Sequence, residues 1–97
     1  MATFVALIDW TEQGVKGFRE SVDRYEASRS SFELMGVRLT QVYWTLGGHD
    51  IVAVAEADDE ETMAAATLML AAEGNVRTTT MRAFSADEMR AVIARTG

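Results

Sequence analysis

The sequence contains neither cysteine nor proline. Without cysteine there are no disulfides, no zinc–thiolate sites and no thiol nucleophiles. Without proline, and with seven glycines placed singly or in one pair, no stretch reads as a linker. The 97 residues therefore make one domain, residues 1–97. Basic residues are scarce, nine against fifteen acidic ones, for a net charge of −6. Binding phosphates requires a basic surface, so nucleic acid is not an expected partner. No apolar run approaches the roughly 18 residues of a membrane helix, so no membrane partner is expected either. Met1-Ala2-Thr3-Phe4 has no basic segment ahead of its apolar stretch, which is unlike a secretory signal, and a cytoplasmic location is expected. What is present is apolar: 48% of residues are hydrophobic, too many for a disordered chain.

Pattern and punctuation predict the elements. Thr3 to Asp9 reads as a strand, rich in β-branched and aromatic residues. Thr11 caps a following helix on which Val15, Phe18, Val22, Tyr25, Phe32 and Met35 form one apolar face, with Ser21 and Asp23 offering a second cap. Gly36 ends it. Val37 to Leu46 is a second strand, Gly47 to Asp50 a turn, and Ile51 to Ala57 a third strand. Asp58 and Glu61 pair as a capping box for a helix from about Asp59 to Glu73, ended by Gly74. The crowd of acids at Glu56, Asp58, Asp59, Glu60 and Glu61 suits that helix start. Met63, Leu68, Met69 and Leu70 are its expected core residues. Val76 to Phe84 is the fourth strand. Ser85 and Glu88 form another capping box, opening a short helix with Met89, Val92 and Ile93 on one side. The order β-α-β-β-α-β plus a C-terminal helix is an α+β chain folded as a ferredoxin-like plait.

The first and third strands are apolar on both sides, with Phe4, Ala6 and Ile8 against Val5 and Leu7, and Ile51, Ala53 and Ala55 against Val52 and Val54. A sheet with one solvated face alternates apolar with polar residues. Two helices cover one face only, and a second copy is the simplest cover for the other. The expected assembly is a homodimer or larger homo-oligomer closing a dimeric α/β barrel.

In this topology strands one and two end on the rim where strands three and four begin. Asp9, Trp10, Tyr43, Trp44, His49, Asp50 and Arg77 meet there, and a ligand site is sought at that rim and in the space between sheet and helices. Trp10, Tyr43, Trp44, His49 and Arg77 are the candidate ligand-binding residues. His49, Asp9 and Asp50 are the candidate catalytic ones, His49 as a base oriented by a carboxylate. Each also has a plainer reading: His49 and Asp50 as turn residues, Asp9 as a helix cap, the tryptophans as core or interface anchors. Arg77 and Arg82 are expected to pair with Glu56 or a partner's carboxylates. A nucleophile elbow, a phosphate loop and a dinucleotide fingerprint are all missing, and one histidine makes a poor metal site. No cofactor or metal is expected. Three functions follow: a non-catalytic small-molecule-binding module, a cofactor-independent oxygenase or isomerase, or a purely structural self-assembling subunit.

Three segments in this order, ALIDWTEQG (Ala6 to Gly14), YWTLGGHD (Tyr43 to Asp50) and NVRTTTMRAFS (Asn75 to Ser85), resemble the GYD domain family. The resemblance runs from about Thr3 to Glu88. The family's Gly-Tyr-Asp triplet is matched by Gly48, His49 and Asp50, so a polar-tipped ring is kept and the phenol is lost. The resemblance implies a small bacterial or archaeal protein of the dimeric α/β-barrel type and implies no activity. The wider barrel superfamily is similar to haem-degrading enzymes, but the second helix here has no histidine for an axial ligand.

Overall fold

The computed structural model describes residues 1–97. Its strands are β1 (Ala2–Trp10), β2 (Arg38–Trp44), β3 (Ile51–Ala57) and β4 (Val76–Ala83), and its helices are α1 (Glu12–Lys16), α2 (Ser21–Leu34), α3 (Glu60–Ala72) and α4 (Ala86–Ala94). The strands form one antiparallel sheet in the order β2-β3-β1-β4, the ferredoxin-like arrangement expected from the element order. The central pair, β1 and β3, holds the most apolar segments.

Side chains alternate across the pleat. Phe4, Ala6 and Ile8 of β1, and Ile51, Ala53, Ala55 and Ala57 of β3, are buried beneath α2 and α3. Leu39 and Val42 of β2 join them, because a bulge between Leu39 and Gln41 takes up the extra residue. Phe32 from α2 and Met63 and Ala66 from α3 complete this layer. Only 14 of 97 residues are buried, a small core for one copy of the chain.

The predicted first helix is divided in two. Gly17 ends α1, a 3₁₀ turn runs from Phe18 to Glu20, and α2 begins at Ser21 with Glu20 before it and no side-chain cap. The break resets the helical phase, so Val15, Phe18 and Val22, expected on the apolar face, are 46%, 51% and 53% exposed. The inward side of α2 instead carries Ser21, Tyr25, Ser28 and Phe32, spaced by four, three and four. On α3, Leu68 and Met69 point to solvent, because Met63, Ala66 and Leu70 occupy the face that the helical period turns inward. The α3 cap is Asp59, not Asp58: its extended backbone lets the carboxylate accept from Thr62 N–H at 2.8 Å. This bond holds the Asp59 carboxyl below its usual range.

Thr11 caps α1 as expected, accepting from Gly14 N–H at 3.0 Å. The same hydroxyl donates to Gly74 O at 2.6 Å, and Thr11 N–H donates to Asn75 O at 3.1 Å. Gln13 Nε2 adds bonds to Glu73 O and Asn75 Oδ1. This clasp fastens the start of α1 to the α3–β4 turn and leaves no room beside Gly14, where an added Cβ would lie 1.8 Å from Asn75 O.

The capping box of α4 forms as predicted, Ser85 and Glu88 each bonding the other's backbone N–H. Arg82 Nη2 lies 3.6 Å from Glu88 Oε2, so Arg82 pairs with this acid rather than with Glu56. Otherwise α4 stands off the body: no element packs extensively against it, and Met89, Val92 and Ile93 are 46%, 40% and 56% exposed.

The clasp and the capping box can each be tested. Gly14→Ala should destabilise the fold by more than about 2 kcal/mol, since the clash is with backbone. Gly17→Ala, whose Cβ would meet only the end of the Arg24 side chain at close range, should cost much less; thermal melts of the two variants check this. The capping box responds to acid. The Glu88 carboxyl is held below its ordinary 4.5, first by Ser85 N–H and also by the Arg82 guanidinium. A lowered carboxylate stabilises the fold above the ordinary value and loses that contribution as pH falls through the lowered one. The helical carbon shifts of α4 should therefore fall away in that acid range in the native chain, and Glu88→Gln should flatten the dependence.

Candidate functional site

Between the sheet and helices α2 and α3 lies a cavity of about 90 Å³. Its origin is compositional. Where the two layers meet, the sheet offers Ala6, Ala53 and Ala55, whose methyl groups are too short to fill the space. Ile8, Ile51, Leu70 and Phe32 give the walls their apolar character, and Trp10 and Trp44 stand at the rim end. Well over a single water's volume is enclosed.

Most polar groups of this wall are already engaged. Trp44 Nε1 donates to Ser21 Oγ at 2.9 Å, and the ring meets Tyr25 edge-on with centroids 5.7 Å apart. Thr67 Oγ1 donates to Met63 O at 2.9 Å. Arg24 donates through Nη1 to Gly17 O at 2.6 Å and through Nη2 to Gly14 O at 3.2 Å, satisfying carbonyls at the end of α1. Trp10 differs: its Nε1–H is buried and has no acceptor.

The GGHD turn reaches both sides of the sheet. The turn reading has Asp50 bonding amides within its own turn, but its Oδ2 accepts from Trp10 N–H on β1 at 2.9 Å. Asp50 N–H donates to Ile8 O at 3.0 Å, and Thr45 N–H donates to Asp50 O at 2.8 Å. Asp50 therefore fixes the end of β1 from which the Trp10 ring projects. His49 lies over the opposite face. Its Nδ1 is 3.1 Å from Asp9 Oδ1, and both side chains are 42% exposed. A carboxylate at Nδ1 leaves Nε2 as the free ring nitrogen, the arrangement of an oriented base. No third acidic or histidine side chain joins the pair.

The rim residues thus do not form one site. Trp10 and Trp44 belong to the cavity. Asp9, His49, Tyr43 and Arg77 lie on the open face or its edge, as the register of Asp9 with Arg77 and Tyr43 with Val52 requires. Asp50 links the two sets through backbone. The helix cap assigned to Asp9 is supplied by Thr11. Arg24, Tyr25 and Ser28 are cavity residues missed in the sequence; the signal was the polar stripe between Ser21 and Phe32 on α2, obscured by the competing apolar spacing through Val22.

Comparison with known proteins agrees with this fold. The chain is 37% identical over 84 residues to a Thermus thermophilus protein named glutamine synthetase and cystathionine beta-lyase binding protein, covering 86% of this chain and 88% of the relative. The crystal structure of TTHA0845, also from Thermus thermophilus, superposes with a TM-score of 0.56 at 26% identity, covering 89% of this chain and 96% of that one. The sequence profile of the GYD domain matches residues 4–93, nearly the full length, and the chain belongs to the GYD domain family.

Proposed function

We propose that this chain is a cytoplasmic, homodimeric binding module that docks on an enzyme of amino-acid metabolism and takes a small molecule between its sheet and helices. The observation that carries docking is the relative, 37% identical and matched over 88% of its length, whose name states that it binds glutamine synthetase and cystathionine beta-lyase. The cavity supports the small-molecule part, being apolar and partly enclosed.

Self-association draws on two surfaces that one copy leaves uncovered. Val5, Leu7, Val52 and Val54 face away from the helices, flanked by Tyr43 and Met81, which are 58% and 43% exposed. Helix α4 presents Met89, Val92 and Ile93 without a partner in its own chain. Apolar areas of this extent on a small domain mark an interface, and a second copy supplies both a matching sheet and a matching helix.

The rival reading, an oxygenase or isomerase with His49 as base, draws on the His49–Asp9 pair. That pair stands half in solvent on the face opposite the cavity, without the enclosure that usually accompanies such chemistry. No helix is long and apolar enough to cross a membrane.

Sedimentation equilibrium should show a dimer, and Val52→Arg should weaken it by roughly 100-fold or more by placing an unpaired charge in an apolar contact. A monomeric native chain would overturn the dimer. For docking, the purified chain should co-elute with purified glutamine synthetase or cystathionine beta-lyase of its own organism. Titration calorimetry showing no heat with either enzyme would overturn docking on those partners.

A further inference from the structure

The outer side of α3 is unlike that of its neighbour. Helix α2 turns Asp23, Glu26, Arg29, Ser30 and Glu33 to solvent, the ordinary covering of a helix packed on a sheet. Helix α3 has no charged residue from Thr62 to Ala72. Met63, Ala66 and Leu70 face the sheet, and the helical period turns Ala65, Leu68, Met69 and Ala72 the other way. Leu68 and Met69 are 71% and 62% exposed. Helix propensity does not require this, because lysine, glutamate and glutamine form helix about as well as leucine and methionine. The second copy expected on the open sheet face does not cover it either, since α3 lies on the other side of the sheet.

We propose that the outer face of α3 docks a helix of a different protein, one whose apolar side is bordered by lysine or arginine. This rests on the docking reading above and gives it a place on the molecule. Shape favours a helix: Leu68 and Met69 stand on either side of Ala65 and Ala72, whose methyl groups let a second helix approach closely. Charge selects the partner. Glu60 and Glu61 lie at one end of the apolar stretch and Glu73 at the other, all exposed, and none forms an ion pair within the chain. A second copy of α3 would set acid against acid whether it ran parallel or antiparallel, since the helix has a basic residue at neither end. A different protein with basic residues beside an apolar stripe meets both features at once.

The test uses the full chain and the enzyme, purified glutamine synthetase or cystathionine beta-lyase, that titration calorimetry shows it to bind. Leu68→Glu should weaken that binding by about 30-fold or more, as loss of a central apolar anchor does. Ala27→Glu, which adds the same charge to the solvent side of α2, should leave it within about twofold. Both variants should keep the native melting temperature and the native mass in sedimentation, because neither side chain is buried. Met69→Glu takes the place of Leu68→Glu if that variant fails to fold. The native affinity should fall as salt rises, and Glu61→Gln should make the fall shallower. If the native chain binds and both α3 variants bind equally well, the α3 face is overturned and the docking reading stands. If the α3 variants lose self-association, the face belongs to a second copy and the proposal falls. Binding that Leu68→Glu abolishes but salt leaves unchanged overturns the basic partner. A native chain that binds neither enzyme removes the docking reading and this proposal together.

Discussion

The placement of the candidate residues in this molecule depends on the pleat of β1. Consecutive residues of a strand face opposite ways, and β1 is paired on both sides, so its alternation is locked by β3 and β4 at once. Asp9 and Trp10 are neighbours in sequence and belong to different surfaces. One holds His49 on the open face; the other stands in the cavity wall beneath the helices. A shift of register by one residue would exchange them and turn Val5 and Leu7 into the core in place of Ala6 and Ile8.

That exchange explains what was legible in the sequence and what was not. The strands, their order and the two-sided apolar character of β1 and β3 follow from composition and turn residues, and all appear in the structure. The capping boxes were readable where a serine stands alone, as at Ser85, and ambiguous where acids crowd, as at Asp58 and Asp59. The rim that holds the candidate residues was legible too, but not its division into two surfaces. Linear proximity suggests that Asp9, Trp10, His49 and Asp50 act together, whereas the pleat separates them by face. The inward stripe of α2 was hidden for a different reason. Gly17 and the 3₁₀ turn change the helical phase between Val15 and Tyr25, so an uninterrupted period cannot be projected through the break.

The cavity has its cause in residue size. Alanine on β3 gives good strand packing near α3, where Ala57 and Ala66 are fully buried. The clasp of Thr11, Gln13 and Gly14 on Glu73, Gly74 and Asn75 ties the start of α1 to the α3–β4 turn. Arg24 then ties α2 to the end of α1 through two carbonyls. Polar bonds join the helices to one another at this end, and the short alanine side chains below leave the space against them unfilled. A sheet bearing leucines at Ala53 and Ala55 would fill the same frame and leave no pocket.

The family triplet acquires a physical meaning in this setting. Just ahead of it, Gly47, with φ of +110°, allows the tight reversal after β2 that an L side chain would strain. Asp50 spends its carboxylate and its backbone N–H on β1, at Trp10 and Ile8, which ties the turn to the strand beyond its own hairpin partner. His49, between Gly48 and Asp50, is carried to the open side, where its ring meets Asp9. The triplet is therefore a latch that closes one end of the sheet and presents a polar ring to whatever covers the open face. Its aspartate acts on the cavity through the placement of Trp10. The middle residue acts on the opposite surface, where the His49 ring meets Asp9 at 3.1 Å.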